Sequence, residues 1–131
     1  MVRGLARALD ADDFESVARF IAPECEYQAR GEVLIGRETI VASYAASSAW
    51  GREHLATLTY ASEIETPEGS EVPVRFTDDM RHGDRKHRFS CRQRFTVGPD
   101  GLIVRIVHEE LPGEREALDA FFHDCGLSDR R

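Results

Sequence analysis

Apolar and polar side chains alternate along residues 85–97. One face of this segment carries His87, Phe89, Cys91, Gln93, Phe95 and Val97, and the other carries Lys86, Arg88, Ser90, Arg92, Arg94 and Thr96. A period of two is typical of a strand that buries one face. Because a slip of one residue would bury four cations, the pattern specifies which face points inward.

Segment 71–80 alternates in the same way and precedes the turn-forming pair Gly83-Asp84. A hairpin closed by this pair predicts the partners His82–Arg85, Met80–His87, Asp78–Phe89 and Phe76–Cys91. Both apolar sets then lie on one face.

A third strand follows the turn formers of residues 98–101. Closing that loop predicts the partners Val97–Leu102, Phe95–Val104, Gln93–Ile106, Cys91–His108 and Phe89–Glu110. The inward face therefore contains ionisable or amide groups among apolar ones: Asp78, His87, Gln93, His108 and Glu110.

Two helices are predicted at the start of the chain. The first ends near Ala11, and Asp12 is the expected N-cap of the second, with Glu15 completing a capping box. Pro23 is expected to end the second helix. The remaining segments predict a short hairpin (25–29 with 32–35), a helix from Gly36 to about Trp50 that Gly51 stops, a long strand (54–66) and a final helix (114–125). This order predicts an α+β fold, with N-terminal helices packed on a strongly curved antiparallel sheet and a C-terminal helix added.

Composition places the chain among ordinary globular domains. Its 131 residues, 41% of them hydrophobic, predict a single domain spanning 1–131. A net charge of −7 argues against nucleic acid as a partner. No apolar run reaches the roughly 20 residues of a membrane helix, and the first residues lack the apolar core of a signal peptide. We therefore expect a cytoplasmic protein with no membrane partner.

Two further features bear on chemistry. The three cysteines, Cys25, Cys91 and Cys125, are far apart and predict free thiols, with neither a disulfide framework nor a metal site. Residues 81–94 are strongly basic. We interpret them as an outer sheet face whose cations meet acidic residues across strands or subunits, in preference to a site for an anionic partner.

Three motifs together resemble the nuclear transport factor 2-like superfamily and, within it, the SnoaL-like group. They are ALDADDFESVARFIAPECEYQ, LIGRETIVASYA and DGLIVRIVHEE, and the similarity covers about residues 5–111. The resemblance implies a cone-shaped fold closing around a deep pocket, and commonly a homodimer through the outer sheet face. Function does not follow from it, because this fold carries several activities and also proteins without chemistry.

The known catalytic patterns of this superfamily are not all kept. The three positions that act in ketosteroid isomerases fall on Leu5, Ala29 and Gln93, none of which has the needed group. The Arg-x-Asp pattern of the epoxide hydrolases is absent from the sequence. A mechanism like that of scytalone dehydratase, with His, Asp and tyrosines, stays open by residue type.

His108 is the first candidate for acid–base chemistry, because imidazole changes charge near neutral pH. Glu110 and Asp78 share its face and would tune or assist it, and Gln93 would orient a substrate oxygen. His87 would line the pocket or pair with Asp78 at its rim. Six aromatic residues are candidates for the pocket wall, and the alternative is that they are core residues that contact no ligand. They are Tyr27, Tyr44, Trp50, Tyr60, Phe76 and Phe89.

Two functions remain open from the sequence. The first is a small-molecule-binding domain for a modest apolar ligand, either a simple binder or an acid–base enzyme of isomerase, dehydratase, cyclase or hydrolase type, without metal or organic cofactor. The second is a non-catalytic dimeric binding or assembly module whose pocket is filled by side chains. A cavity of roughly 300 Å³ beside His108 would favour the first.

Overall fold

A computed structural model describes residues 1–127; the last four residues of the predicted domain lie outside the described part. The helices are α1 (Val2–Asp10), α2 (Phe14–Phe20), α3 (Arg37–His54) and α4 (Glu114–Asp124). The strands are β1 (Ile21–Ala29), β2 (Glu32–Ile35), β3 (Thr57–Ile64), β4 (Glu71–His82), β5 (Arg85–Val97) and β6 (Ile103–Glu110). They form one sheet in the order β2-β1-β6-β5-β4-β3. The α+β prediction is confirmed, with the addition that β1 runs parallel to β6.

The β4–β5 hairpin has the predicted register. His82 opposes Arg85, Asp78 opposes Phe89, and the intervening pairs follow in step. Gly83 at the turn has a positive φ of 60°, which glycine adopts without strain. The turn chemistry and the alternation therefore identify the same pairs.

The predicted β5–β6 register is wrong by two residues. Gln93 opposes His108, and Cys91 opposes Glu110. The register changes near the loop, where Thr96 opposes Arg105 but Val97 opposes Ile103. Val104 is therefore an extra residue on β6 and forms a bulge. A shift of two keeps each side chain on its predicted face, but it gives His108 and Glu110 different neighbours from those expected.

Two predictions at the start of the chain are also corrected. The N-cap of α2 is Asp13, whose carboxylate accepts from the Ser16 backbone N–H at 3.2 Å. Asp12 has a left-handed backbone conformation with φ of 56°, and its side chain bonds to Ser48 on α3. The helix ends at Phe20, and Pro23 lies within β1.

The helix α3 continues past Gly51 to His54, and β3 begins only at Thr57. A Cβ atom at residue 51 would lie 2.5 Å from Leu58 Cδ2. Glycine at this position therefore lets the helix pack closely against β3, and it is not the stop signal that we expected from the sequence.

Two groups of buried residues hold the fold together. The first joins α1 and α2 to the β5–β6 region, and its fully buried members include Leu5, Val17, Ile21, Phe95, Ile103 and Ile106. The second lies under α4 and contains Leu55, Leu58, Met80, Phe89, Cys91, Leu118, Phe121 and Phe122. Phe76 packs against both groups. Burial of the apolar face of α4 explains why this helix docks on the sheet.

The outer face of the sheet carries ion pairs. Arg88 pairs with Asp79, and both Arg92 and Arg94 pair with Glu109. These contacts join neighbouring strands of one chain. They show that three of the six cations of the basic segment are compensated by acidic residues of the same chain.

In the described residues all three cysteines are free thiols; Cys25 and Cys91 are buried, whereas Cys125 is only partly buried. None of the helices in residues 1–127 combines the length and the apolar character needed to cross a membrane.

Candidate functional site

The concave side of the sheet lines a partly open cavity of about 290 Å³ between β1, β3–β6, α3 and α4. Apolar side chains form much of its wall, among them Phe14, Ile40, Trp50, Leu55, Leu58, Phe76, Met80, Phe89 and Phe122. Two groups of polar side chains interrupt this wall, one on β1, β5 and β6 and the other where β3 meets α3.

Gln93 is the centre of the first polar group. Its Oε1 accepts from the Tyr44 hydroxyl at 2.6 Å, and its Nε2 lies 3.3 Å from the Tyr27 hydroxyl and 3.2 Å from His108 Nδ1. The short distance is typical of O–H···O bonds and the longer ones of N–H donors, so the lengths agree with this orientation of the amide. Gln93 is buried, and both its amide oxygen and its amide nitrogen bond to other side chains of the same chain.

This arrangement determines the tautomer of His108. An amide nitrogen can only donate, so His108 Nδ1 accepts and the proton of the neutral ring lies on Nε2. Protonation of Nδ1 would break the bond to Gln93. His108 therefore presents an N–H donor at Nε2, which lies 3.9 Å from Glu110 Oε2.

Glu110 is held from the other side by the final helix. Arg115 of α4 donates to Glu110 Oε1 from Nη2 at 3.0 Å and from Nε at 3.2 Å, and its guanidinium lies over the Phe89 ring. Glu110 Oε2 is buried and makes no hydrogen bond within the described residues. The helix α4 thus orients a carboxylate that lies close to His108.

The second polar group is a chain of hydrogen bonds. The Ser48 hydroxyl lies 2.8 and 2.9 Å from the two carboxylate oxygens of Asp12 and 2.8 Å from the Tyr60 hydroxyl. Arg52 donates to Asp12 at 2.8 Å and lies over the Tyr60 ring. Asp78 is opposite Tyr60 in the β3–β4 ladder. This group contains the Asp12 side chain that the sequence assigned to a helix cap.

Burial changes the acidity of the cavity tyrosines. Desolvation, together with nearby acidic groups, raises the pKa of Tyr27 to about 12. Desolvation by burial also raises the pKa of Tyr44 well above its ordinary value, and it raises that of Tyr60. All three side chains are therefore neutral hydroxyls over the physiological pH range.

The structure places all but one of the sequence-predicted site residues on the cavity wall: His108, Asp78, Glu110, Gln93, Tyr27, Tyr44, Trp50, Tyr60, Phe76 and Phe89. His87 is the exception. It stacks on Phe121 with 5.1 Å between ring centroids, outside the cavity, because α4 covers the end of the hairpin.

Several polar wall residues were missed from the sequence: Asp10, Asp12, Ser43, Ser47, Ser48 and Arg115. Ser48 lies four residues after Tyr44, so helical spacing alone could have indicated it. In residues 1–127 no group of three or more His, Cys, Asp or Glu side chains is arranged to hold a metal ion.

The architecture defines the class of protein as a cone of the nuclear transport factor 2-like type. The chain belongs to the SnoaL-like domain family, whose model matches residues 2–106, and this confirms the resemblance seen in the sequence. No curated protein matches the chain.

Solved structures share the fold at low sequence identity. Bal32a, from a soil-derived mobile gene cassette, has a TM-score of 0.72 at 15% identity over 92% of both chains. TerC, co-crystallized with polyporic acid, has a TM-score of 0.68 at 14% identity over 93% of this chain and 95% of its own. A candidate polyketide cyclase from Xanthomonas campestris pv. campestris has a TM-score of 0.66 at 17% identity over 88% and 91%.

Proposed function

We propose that this protein binds a small, largely apolar molecule in the cone and performs acid–base chemistry on it, in the manner of a cyclase, isomerase or dehydratase. The observation that carries the proposal is the cavity of about 290 Å³ in contact with both His108 and Glu110. Ligand sites commonly begin at about 300 Å³. Structural similarity to a candidate polyketide cyclase and to a protein crystallised with polyporic acid supports the same class of function.

We assign distinct roles to the ionisable groups. His108 carries its proton on Nε2 and serves as a hydrogen-bond donor to a developing negative charge on a ligand oxygen. A carboxylate is then the base, and Asp78 and Glu110 both line the cavity. Both carboxylates are therefore candidates for accepting a proton from the ligand, and Arg115 holds Glu110 in place.

Ligand binding can be measured with the protein's own fluorescence. Trp50 is the single tryptophan and lines the cavity, so its emission, excited at 295 nm, should change when a small aromatic compound enters. Ser43→Phe places a bulky ring at the cavity wall and should abolish that change. Ala42→Phe is the matched control on the exposed side of the same helix. If both variants respond like the wild type, the ligand does not bind in this cavity.

Chemistry requires a second experiment once a reactive compound has been found. His108→Ala should lower turnover about a hundredfold while the circular dichroism spectrum is retained. Unchanged turnover would remove His108 from the mechanism. The alternative function, a non-catalytic binding or assembly module, predicts neither turnover nor a fluorescence response.

A further inference from the structure

The two polar groups of the cavity differ in the direction of their hydrogen bonds. We propose that the ligand is a neutral ring compound bound in one orientation, with an acceptor oxygen such as a carbonyl at Tyr27 and a hydroxyl at Tyr60. This inference rests on the proposed ligand-binding function and specifies the class of ligand that the same cavity takes.

The Tyr27 side of the cavity offers donors. The Tyr27 hydroxyl accepts from Gln93 Nε2, so its own proton is not used in that bond, and within residues 1–127 it donates to no protein atom. The neighbouring His108 ring carries its proton on Nε2, because Nδ1 accepts from the same amide. The Tyr27 hydroxyl is therefore the donor at this end of the cavity, and an oxygen with lone pairs is the group that it would bind.

The Tyr60 side offers acceptors. A serine hydroxyl has a single proton, and Ser48 gives it to the Asp12 carboxylate, which can only accept. The 2.8 Å contact between Ser48 and Tyr60 must then use the proton of Tyr60. The remaining lone pair on the Tyr60 oxygen is an acceptor, and the Asp78 carboxylate is its neighbour across β3 and β4.

The charge and composition of the wall between these ends restrict the ligand further. Aromatic and aliphatic side chains such as Leu58, Phe76 and Phe89 also line the cavity, which suits a ring system. Asp10, Asp12, Asp78, Glu32 and Glu110 line the cavity together with Arg30 and Arg115, and Arg52 pairs with Asp12. The acidic side chains still outnumber the basic ones, which disfavours an anionic ligand. A neutral compound with one acceptor end and one donor end satisfies each of these features.

Four matched two-ring compounds test the inference by calorimetric titration of the wild-type protein. 6-Hydroxy-1-tetralone has both groups, 1-tetralone lacks the hydroxyl, 5,6,7,8-tetrahydro-2-naphthol lacks the carbonyl, and tetralin lacks both. Each group should improve affinity about threefold to tenfold, the usual effect of a neutral hydrogen bond. If all four bind with equal affinity, the cavity binds ligands but the inference is wrong. If none binds, both the inference and the proposed function are contradicted.

Three tyrosine variants assign the groups to their ends of the cavity. Tyr27→Phe should weaken only the compounds with a carbonyl, and Tyr60→Phe only those with a hydroxyl, again about threefold to tenfold. Tyr44→Phe is the control, because the Tyr44 hydroxyl already donates to Gln93, and it should change all four affinities equally. A loss that does not depend on the functional group would overturn the orientation. The wild-type series gives the same test of ligand class if a variant fails to fold.

Discussion

Gln93 and His108 face each other across β5 and β6, with 3.2 Å between the amide nitrogen and Nδ1 of the ring. The same amide accepts from the Tyr44 hydroxyl, whose pKa is raised by desolvation. A single side chain therefore orients the histidine and satisfies a buried hydroxyl. Replacing Gln93 should therefore lower the stability of the fold and change the orientation of His108.

Gln93→Leu should lower the free energy of unfolding by about 1–3 kcal/mol, because it leaves the Tyr44 hydroxyl buried without an acceptor. Urea denaturation followed by circular dichroism measures this change. Gln28→Leu is the matched control, since Gln28 lies on β1 and its partners are the half-buried Glu26 and the exposed Arg105, and its effect should be within about 0.5 kcal/mol. Equal losses in the two variants would contradict the role assigned to Gln93.

Arg115 and Glu110 form a two-pronged, largely buried ion pair, with 19% and 23% of their side chains exposed. A double-mutant cycle with Arg115→Met and Glu110→Gln should give a coupling energy above about 1 kcal/mol, because two charged N–H donors bond to one partly desolvated carboxylate oxygen. Unfolding in urea provides the four free energies.

The matched control is the pair Arg19 and Glu15, also joined at 3.0 Å but 70% and 84% exposed. Its coupling should be about 0.3–0.5 kcal/mol, as for other exposed pairs one helical turn apart. If both cycles give the same small coupling, α4 does not hold Glu110 in place.

The alternation of side chains predicted the inner face correctly, because the period of a strand is a local property. It placed Asp78, Gln93, His108 and Glu110 inside, and all four line the cavity. The partner of each residue across β5 and β6 was not predictable in the same way. It depends on a bulge beside Val97 and Ile103, whose position is set by the loop and by core packing.

Tertiary packing explains the residues that the sequence did not indicate. Arg115 is one of several charges at the start of α4, and only the docking of that helix brings it to Glu110. Asp12 and Asp13 are equally good N-caps by residue type. The structure separates them, since Asp13 caps α2 and Asp12 bonds to Ser48 on another helix.

The outer sheet face is where we propose that two chains associate. Replacing Arg92 and Arg94 with Glu should shift the sedimentation coefficient toward that of a monomer, because it places like charges against a partner. These substitutions also break pairs with Glu65 and Glu109 within the chain, so near-ultraviolet circular dichroism must confirm the fold. An unaltered sedimentation profile with an intact fold would contradict this interface.

The three tyrosines give a prediction about pH, because burial raises the pKa of each of them, in the case of Tyr27 to about 12. A group whose folded pKa exceeds its unfolded value stabilises the fold below the unfolded value, and that contribution is lost as pH rises. Stability should therefore fall above about pH 10, where tyrosines of the unfolded chain ionise. Absorbance at 295 nm should show little tyrosinate at pH 10 in the folded protein, and half ionisation in urea. Equal absorbance in the two states, with native circular dichroism, would mean that the cavity hydroxyls are open to bulk water.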